Sequence, residues 1–284
     1  HTVDSHRYCV AQTILDADCL ISIPKLKTHS KVGLTLNIKS MVGTQGDKNY
    51  IPHHRLGGPW QGGDEYPDLG LIPNLANAFR SWTITHILNR QTRFFDHLYR
   101  HLFYPAQHFL SRLAYFVLRR SRREFKTLIA GGAWYGNDTA WRMALDLIRI
   151  VLYADRQGSI QPVQQRRFFS LVDGILAGEG DGPLTPTAKP CGVILAGDSP
   201  LAVDLAAARL MGFDDRKIPM LSHALELSGL NIWNGSPQDL AILSTSPAIS
   251  DIFLSNQPTF VFNPPSGWVN HIELEPGDKT NASV

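Results

Sequence analysis

Apolar and polar positions divide this chain into two kinds of segment. Short apolar runs bounded by turn residues occur at 19–23, 168–175 and 192–197. Runs of that length and composition read as buried strands. Elsewhere the apolar period lengthens to three and four residues. Leu75, Phe79, Trp82, Ile87 and Leu88, then Phe94, Phe95, Leu98, Leu102 and Phe103, predict helices from Ile72 onward. Pro105 is expected to end one helix, with the next over roughly 106–120. Leu145, Ile148 and Leu152 mark the buried face of another. Residues 198–211 predict a helix with Ser199 as N-cap, Pro200 in its first turn and Gly212 as terminator, and 219–228 predict a last one.

The joints are equally informative. Residues 8–15 fit a strand or a short helix. Residues 56–71 are rich in Gly, Pro and Asp, a loop composition, and a long loop beside a polar site predicts a mobile lid or binding segment. Strands interleaved with helices predict an α/β fold: a mixed or mostly parallel central sheet with flanking helices and an inserted basic, aromatic helical hairpin. The expected organisation is one domain over 1–274, the insertion at 72–126, and a disordered tail over 275–284.

Composition changes this picture little. The 284 residues are 43% apolar, enough for a full core, and contain no run of eighteen apolar residues and no signal-peptide pattern. Cys9, Cys19 and Cys191 lie far apart, so no iron–sulfur cluster or CxxC-type zinc site is expected within the chain, and a reducing, cytoplasmic setting is. Charge is more telling. The net charge is only +2, yet between Arg80 and Lys126 ten Lys and Arg residues stand against Asp96 and Glu124. A basic amphipathic hairpin predicts contact with an anionic membrane surface or a partner subunit, placing the protein at the membrane periphery. Nucleic acid is not the expected partner.

The chemistry concentrates at 17–54. An apolar strand ending at Pro24 delivers Lys25, Lys27, Thr28 and His29, followed by Thr35, Asn37, Lys39, Lys48 and the His53–His54 pair. Crowded lysines repel one another and lose charge unless an anion or carboxylates sit among them. Either a negatively charged ligand or acids from elsewhere in the chain are therefore expected. The acids are available in the loop at 177–183, where Glu179 and Asp181 alternate with Gly178, Gly180 and Gly182, and in Asp173 before it. Such a loop can ligate a hard cation or balance the lysines. Asn137, Asp138 and Arg142 crowd polar groups at a predicted helix N-terminus, where backbone N–H groups favour anions. Asp198 and Asp204 flank the start of the 198–211 helix. Asp204, set among Ala202, Val203, Leu205 and Ala206, is expected to be buried, and so to hold either a lysine of the first stretch or the loop from Asp198.

Two multi-residue motifs carry a resemblance. The first is Ile23-Pro-Lys-Leu-Lys-Thr-His29 with Gly33-Leu-Thr-Leu-Asn-Ile-Lys39 and Gly43. The second is Asp173-Gly-Ile-Leu-Ala-Gly-Glu-Gly-Asp-Gly-Pro183 with Ala196-Gly-Asp-Ser-Pro-Leu-Ala-Val-Asp204 and Met211-Gly212. Over residues 10–230 the chain resembles the DUF362 family. The resemblance implies an α/β fold and a polar site shared by both motifs, without a settled activity. Some members carry ferredoxin-like cysteine clusters, which implies redox chemistry for them. This chain has no such cluster, so a redox role implies an iron–sulfur partner.

Three functions follow as expectations. The first is an enzyme that binds an anionic small molecule, with Lys25, Lys27, His29, Asp173 and Glu179 as catalytic candidates. Thr28, Thr35, Asn37, Lys39, Lys48, Asn137, Asp138, Arg142, Gly180, Gly182, Asp198 and Asp204 are its binding candidates, and His53, His54 and Glu179 the weaker candidates for a divalent metal. His29 titrates nearest neutrality and is the candidate acid or base. The second is a redox accessory beside an iron–sulfur partner. The third is a non-catalytic anion-binding or membrane-associated module.

Overall fold

The computed structural model describes residues 5–55, 57–59, 62–66, 70–87, 92–118, 131–245 and 259–275. The chain divides into two compact units, one made of His1–His53 with Ala140–Val284, the other of His54–Thr139. The second unit is wider than the 72–126 insertion read from the sequence, because the loop before it and the glycine-rich turn after it belong to the same body.

In the first unit, α1 (Gln12–Asp16) leads into β1 (Cys19–Ser22), β2 (Lys25–His29) and the short β3 (Gly33–Leu34), then α2 (Leu36–Ser40). The 8–15 ambiguity resolves to a short helix. After the second unit come a long helix, a long strand pair and two further helices. The strands are β4 (Arg167–Glu179) and β5 (Thr187–Gly197), each reaching further than its apolar run. Among the described residues they form one five-stranded mixed sheet. The strand β4 is its spine. β1 and β2 run parallel to β4 along successive halves of one edge, Cys19 opposite Arg167 and Lys27 opposite Gly178. Pro24 sits between them, and its carbonyl still accepts the Asp173 N–H at 2.9 Å, so the edge continues past a residue that has no N–H to give. The other edge of β4 pairs antiparallel with β5, and β3 pairs antiparallel with β2.

One face of this sheet is packed. Phe168, Ser170 and Val172 alternate inward, while Phe169, Ile175 and Ile194 point out and are exposed. The buried face and the helices on it form the core, which includes Leu147, Ile148, Leu201 and Leu205.

In the second unit, α3 (Leu71–His86) packs against α5 (Tyr104–Leu118). The expected break at Pro105 does not occur. The helix α4 (Arg93–Leu98) continues through a five-residue π-turn, Tyr99–Phe103, directly into α5. The wider turn bonds the Tyr104 N–H back to the Tyr99 carbonyl and carries the chain past the proline, whose ring would collide with an ordinary α-turn. Before α3 begins at Leu71, the 56–71 stretch has no α-helix or strand among its described residues, as its composition predicts, but it is anchored. Asp64 accepts the Arg55 N–H at 2.6 Å and the Thr139 hydroxyl at 2.7 Å, and the Glu65 carboxylate, fully buried, pairs with Arg80 of α3. The residues 119–130, with five of the ten Lys and Arg residues between Arg80 and Lys126, and 276–284, all but the first residue of the expected tail, lie outside the described residues.

The helices that complete the first unit are α6 (Ala140–Tyr153), α7 (Pro200–Leu210) and α8 (Pro219–Leu225). Ser199 caps α7 as expected, its hydroxyl accepting the Ala202 N–H at 3.3 Å, with Pro200 in the first turn.

Candidate functional site

Register alone brings the two motifs together. β2 lies beside the C-terminal half of β4, so the acidic glycine loop that leaves β4 folds back over Thr28–Ser30. Thr28 donates its hydroxyl to the Gly180 carbonyl at 2.7 Å, and Ser30 donates both its N–H and its hydroxyl to the Gly182 carbonyl at 2.9 and 2.5 Å. A Cβ on Gly182 would stand 2.1 Å from the Thr28 carbonyl oxygen, so only glycine permits this approach. Gly33 is constrained in the same way, with φ +82° and the Trp268 ring 3.1 Å from where its Cβ would be. Trp268 in turn donates its indole N–H to the Ser30 carbonyl at 2.6 Å.

The meeting has a different chemistry from the one expected. The loop turns its backbone carbonyls toward the cationic segment and its carboxylates away. Lys27 donates to the Pro183 carbonyl at 3.3 Å. Glu179 instead takes Lys189 at 2.8 Å and the Asn263 N–H and side-chain amide, each at 2.9 Å. Lys189 and the two Asn263 donors hold its pKa low against the opposing pull of burial. Asp181 is taken by the Ser266 N–H and hydroxyl at 2.7–2.8 Å. The period-2 alternation explains it: Lys27 shares a face with its partner Gly178, which leaves Glu179 on the other. The expected Lys27–Glu179 pairing is therefore corrected, and Glu179 is a structural tie to the 263 segment.

Other candidates also separate. Lys25 pairs with Asp173 at 2.5 Å, with both side chains about 40% exposed. This neutralises Lys25 at the surface, where such a pair contributes at most about 1 kcal/mol. Lys48 is exposed in a short 3₁₀ turn that Asp47 caps. Asp204 is fully buried but binds no lysine and no loop from Asp198. It accepts the backbone N–H groups of Asn37 and Ile38, both at 2.9 Å, and the Asn37 amide at 2.8 Å, which caps α2. Burial pushes its pKa up to about 7 against the pull of those three donors. This anchor holds Leu36 at φ 28°, an unfavourable value for leucine. Thr35 braces β2, its N–H bonded to the Lys27 carbonyl at 2.9 Å.

Asp198 is exposed beyond the end of β5, beside Gly197, which pairs with Ser170. Along β4 that is roughly 25 Å from Gly178. Asp198 lines a cavity of about 650 Å³ between β5, α7 and residues 239–245, whose charged lining groups are the carboxylates of Asp198 and Asp239. That cavity is unsuited to an anion. Arg142 lies over the Trp141 ring at 4.4 Å, and Trp141 stacks on His223 at 4.5 Å. Asn137 and Asp138 belong to the second unit. Asn137 closes a turn there, accepting the Thr139 N–H at 3.2 Å and donating to the Gly132 carbonyl at 2.8 Å, and Asp138 is exposed.

What remains is a compact cationic group in the first unit. His29 and Lys39 are 3% and 8% exposed, and Lys27 and Lys31 are half-buried. Burial, with the charges of Lys31 and Lys27, brings the Lys39 ammonium down to about 8. Burial, Lys39, His53, Lys31 and Lys27 hold the His29 imidazole well below its usual pKa. His29 Nδ1 accepts the Lys31 N–H at 3.1 Å, which fixes the neutral ring with its proton on Nε2. Lys31 donates its ammonium to the His53 carbonyl at 3.0 Å, and the two imidazole rings lie 6.5 Å apart. Among the described residues no carboxylate forms a salt bridge with Lys27 or Lys39. Lys31 was missed as a site residue, although it follows His29 by two. Lys189 and Asn263, which remove Glu179 from the site, carry no local signal.

Among the described residues no group of three His, Cys, Asp or Glu side chains is arranged to hold a metal ion. His53 contributes to the cationic group. His54 belongs to the second unit, its Nε2 3.8 Å from Glu65. Cys9, Cys19 and Cys191 are free thiols.

The fold and site thus define an α/β protein with a buried lysine–histidine group on β2, the turn after it and α2, beside the C-terminal half of β4. The chain belongs to the family described as "Domain of unknown function (DUF362)", whose profile matches residues 2–209, from the N-terminal segment through all five strands and nearly all of α7. Comparison with curated proteins and with solved structures returns no match.

Proposed function

We propose that the first unit is an enzyme domain that binds a small anionic molecule between Lys27, Lys31 and Lys39, with His29 beside it. One observation supports this reading above others: the buried Lys39 ammonium lies among like charges and, among the described residues, no carboxylate pairs with it, while Glu179 and Asp173 pair with Lys189 and Lys25. Burying an uncompensated charge is costly, and an anionic ligand removes that cost. The lysines act as point charges for carboxylate or phosphate oxygens. Neutral His29 presents Nε2–H as a donor to a ligand oxygen and can carry the proton of an acid–base step. Glu179 and Asp173 take no part in this chemistry, and no divalent metal is part of the proposal.

The experiment is calorimetric titration with inorganic phosphate, citrate and oxalate at constant ionic strength. At least one anion is expected to bind at neutral pH, and Lys39→Met is expected to weaken it tenfold or more, the loss of one charge-assisted hydrogen bond. Affinity for all three anions that is the same in Lys39→Met and in the parent contradicts the reading.

A further inference from the structure

One side chain of the cationic group carries chemistry that binding alone does not use. Lys39 is a primary amine, 8% exposed, and its side chain makes no hydrogen bond and no salt bridge among the described residues. Its neighbours are Lys27 and Lys31, whose charges act on it, and His29, on whose ring it acts in turn. Lys31 is tied to the His53 carbonyl and Lys27 to the Pro183 carbonyl, while Lys39 has no such tether. The backbone beneath it is fixed, because Asp204 accepts the N–H groups of Asn37 and Ile38, the two residues before it.

An amine that attacks a carbonyl group needs a lone pair, a carbon held beside it and a donor for the oxygen that gains charge. Burial beside two like charges supplies the first. With the ammonium brought down to about 8, roughly half of Lys39 is free amine at about pH 8, against less than about 1% of an ordinary lysine. Lys27 and Lys31 supply the second by holding a carboxylate. Neutral His29 supplies the third through Nε2–H. The cations and the imidazole form one compact group, so the reactive carbonyl must sit next to the carboxylate rather than at the end of a long chain. We propose that the site takes a 2-oxo acid and that Lys39 joins it covalently as an imine. This rests on the anion site proposed above and names its substrate class. Nζ gives its lone pair to the ketone carbon and the carbonyl π pair moves onto oxygen. That oxygen leaves as water with the two hydrogens of the amine, so C=N replaces C=O and nothing is oxidised or reduced. A proton from solvent then makes the imine cationic.

The test is incubation of the full chain at about pH 8 with pyruvate and sodium cyanoborohydride, which reduces an imine to a stable secondary amine, followed by intact-mass and peptide mass spectrometry. The parent is expected to gain one reduced pyruvate at Lys39, roughly tenfold or more above the background at exposed Lys48, and excess oxalate is expected to suppress it. Lys39→Met is expected to gain none. Lys39→Arg keeps the charge without the nucleophile, and is expected to retain oxalate binding in calorimetry while gaining no adduct. Oxalate binding by the parent with no adduct overturns this inference and leaves the anion site standing, whereas failure of both oxalate binding and trapping overturns both. Labelling no more frequent at Lys39 than at Lys48, or equal labelling of the parent and Lys39→Arg, also overturns the inference.

Discussion

Two buried cationic groups of the first unit differ in one respect. At the end of α7, Arg209 is 4% exposed and meets Asp215 through Nε, while Asp214 lies 4.0 Å away and is itself held by Arg216 at 2.8 and 2.9 Å. Each charge there has an opposite partner. Burial pulls the Asp214 carboxyl up, but Arg216 outweighs it and the net shift is down, while Asp215 stays raised because burial exceeds the pull of Arg209. In the Lys27–Lys31–Lys39 group, Lys39 is buried beside two like charges, and among the described residues no carboxylate forms a salt bridge with Lys27 or Lys39. Compensated burial reads as architecture. A buried ammonium with no carboxylate salt bridge among the described residues is the feature on which the proposed anion site rests.

The sharpest way to break this contrast is to remove one cation from each group. Arg209→Met leaves Asp214 short of a partner and Asp215 buried alone, and is expected to cost about 3–5 kcal/mol in urea unfolding. Lys39→Met deletes a repelled charge and is expected to leave stability level or raised. Comparable losses in both variants would erase the distinction.

The pH dependence has a definite sign. Lys39 has a folded pKa of about 8 against an ordinary 10.5. Between those values the unfolded chain binds more protons, so the stability of the ligand-free protein rises with pH across that window, by up to about 3 kcal/mol. His29 adds the same sign lower down: as pH falls below 6.5 the unfolded imidazole takes a proton that the buried ring does not, and stability falls. Lys39→Met is expected to lose the alkaline rise and keep the acidic fall. Thermal unfolding at a series of pH values measures both.

The smallest effect is expected at Glu179. Glu179→Gln weakens the Lys189 contact and keeps an acceptor for Asn263, at a cost of about 1 kcal/mol. Anion affinity is expected to stay unchanged, because this carboxylate faces away from the lysines. A tenfold loss of affinity would return Glu179 to the site.

Much of this was legible in the sequence. The strand before Pro24 and the helix capped by Ser199 follow from local pattern, and the meeting of the two motifs was implied by the family resemblance. Asp204 was expected to be buried, and it is. Its partners were not legible, because an acid on α7 caps a helix 167 residues earlier in the chain through backbone N–H groups that look the same in any sequence. The carboxylates of Glu179 and Asp181 were misassigned for a related reason. Alternation fixes which residues share a face, but only the strand register shows that Gly178, and not Glu179, sits beside Lys27. Pro105 misled because a π-turn is invisible to a 3.6-residue period.

The central claim concerns one amine, and it can be read directly by following the Lys39 side chain in an NMR pH titration, with and without inorganic phosphate. The account predicts a midpoint near 8 in the ligand-free protein, moving upward when phosphate is added, because a bound anion favours the ammonium form. A midpoint at the ordinary lysine value, unmoved by phosphate, would show that the charge is already compensated and that the site is not one for anions.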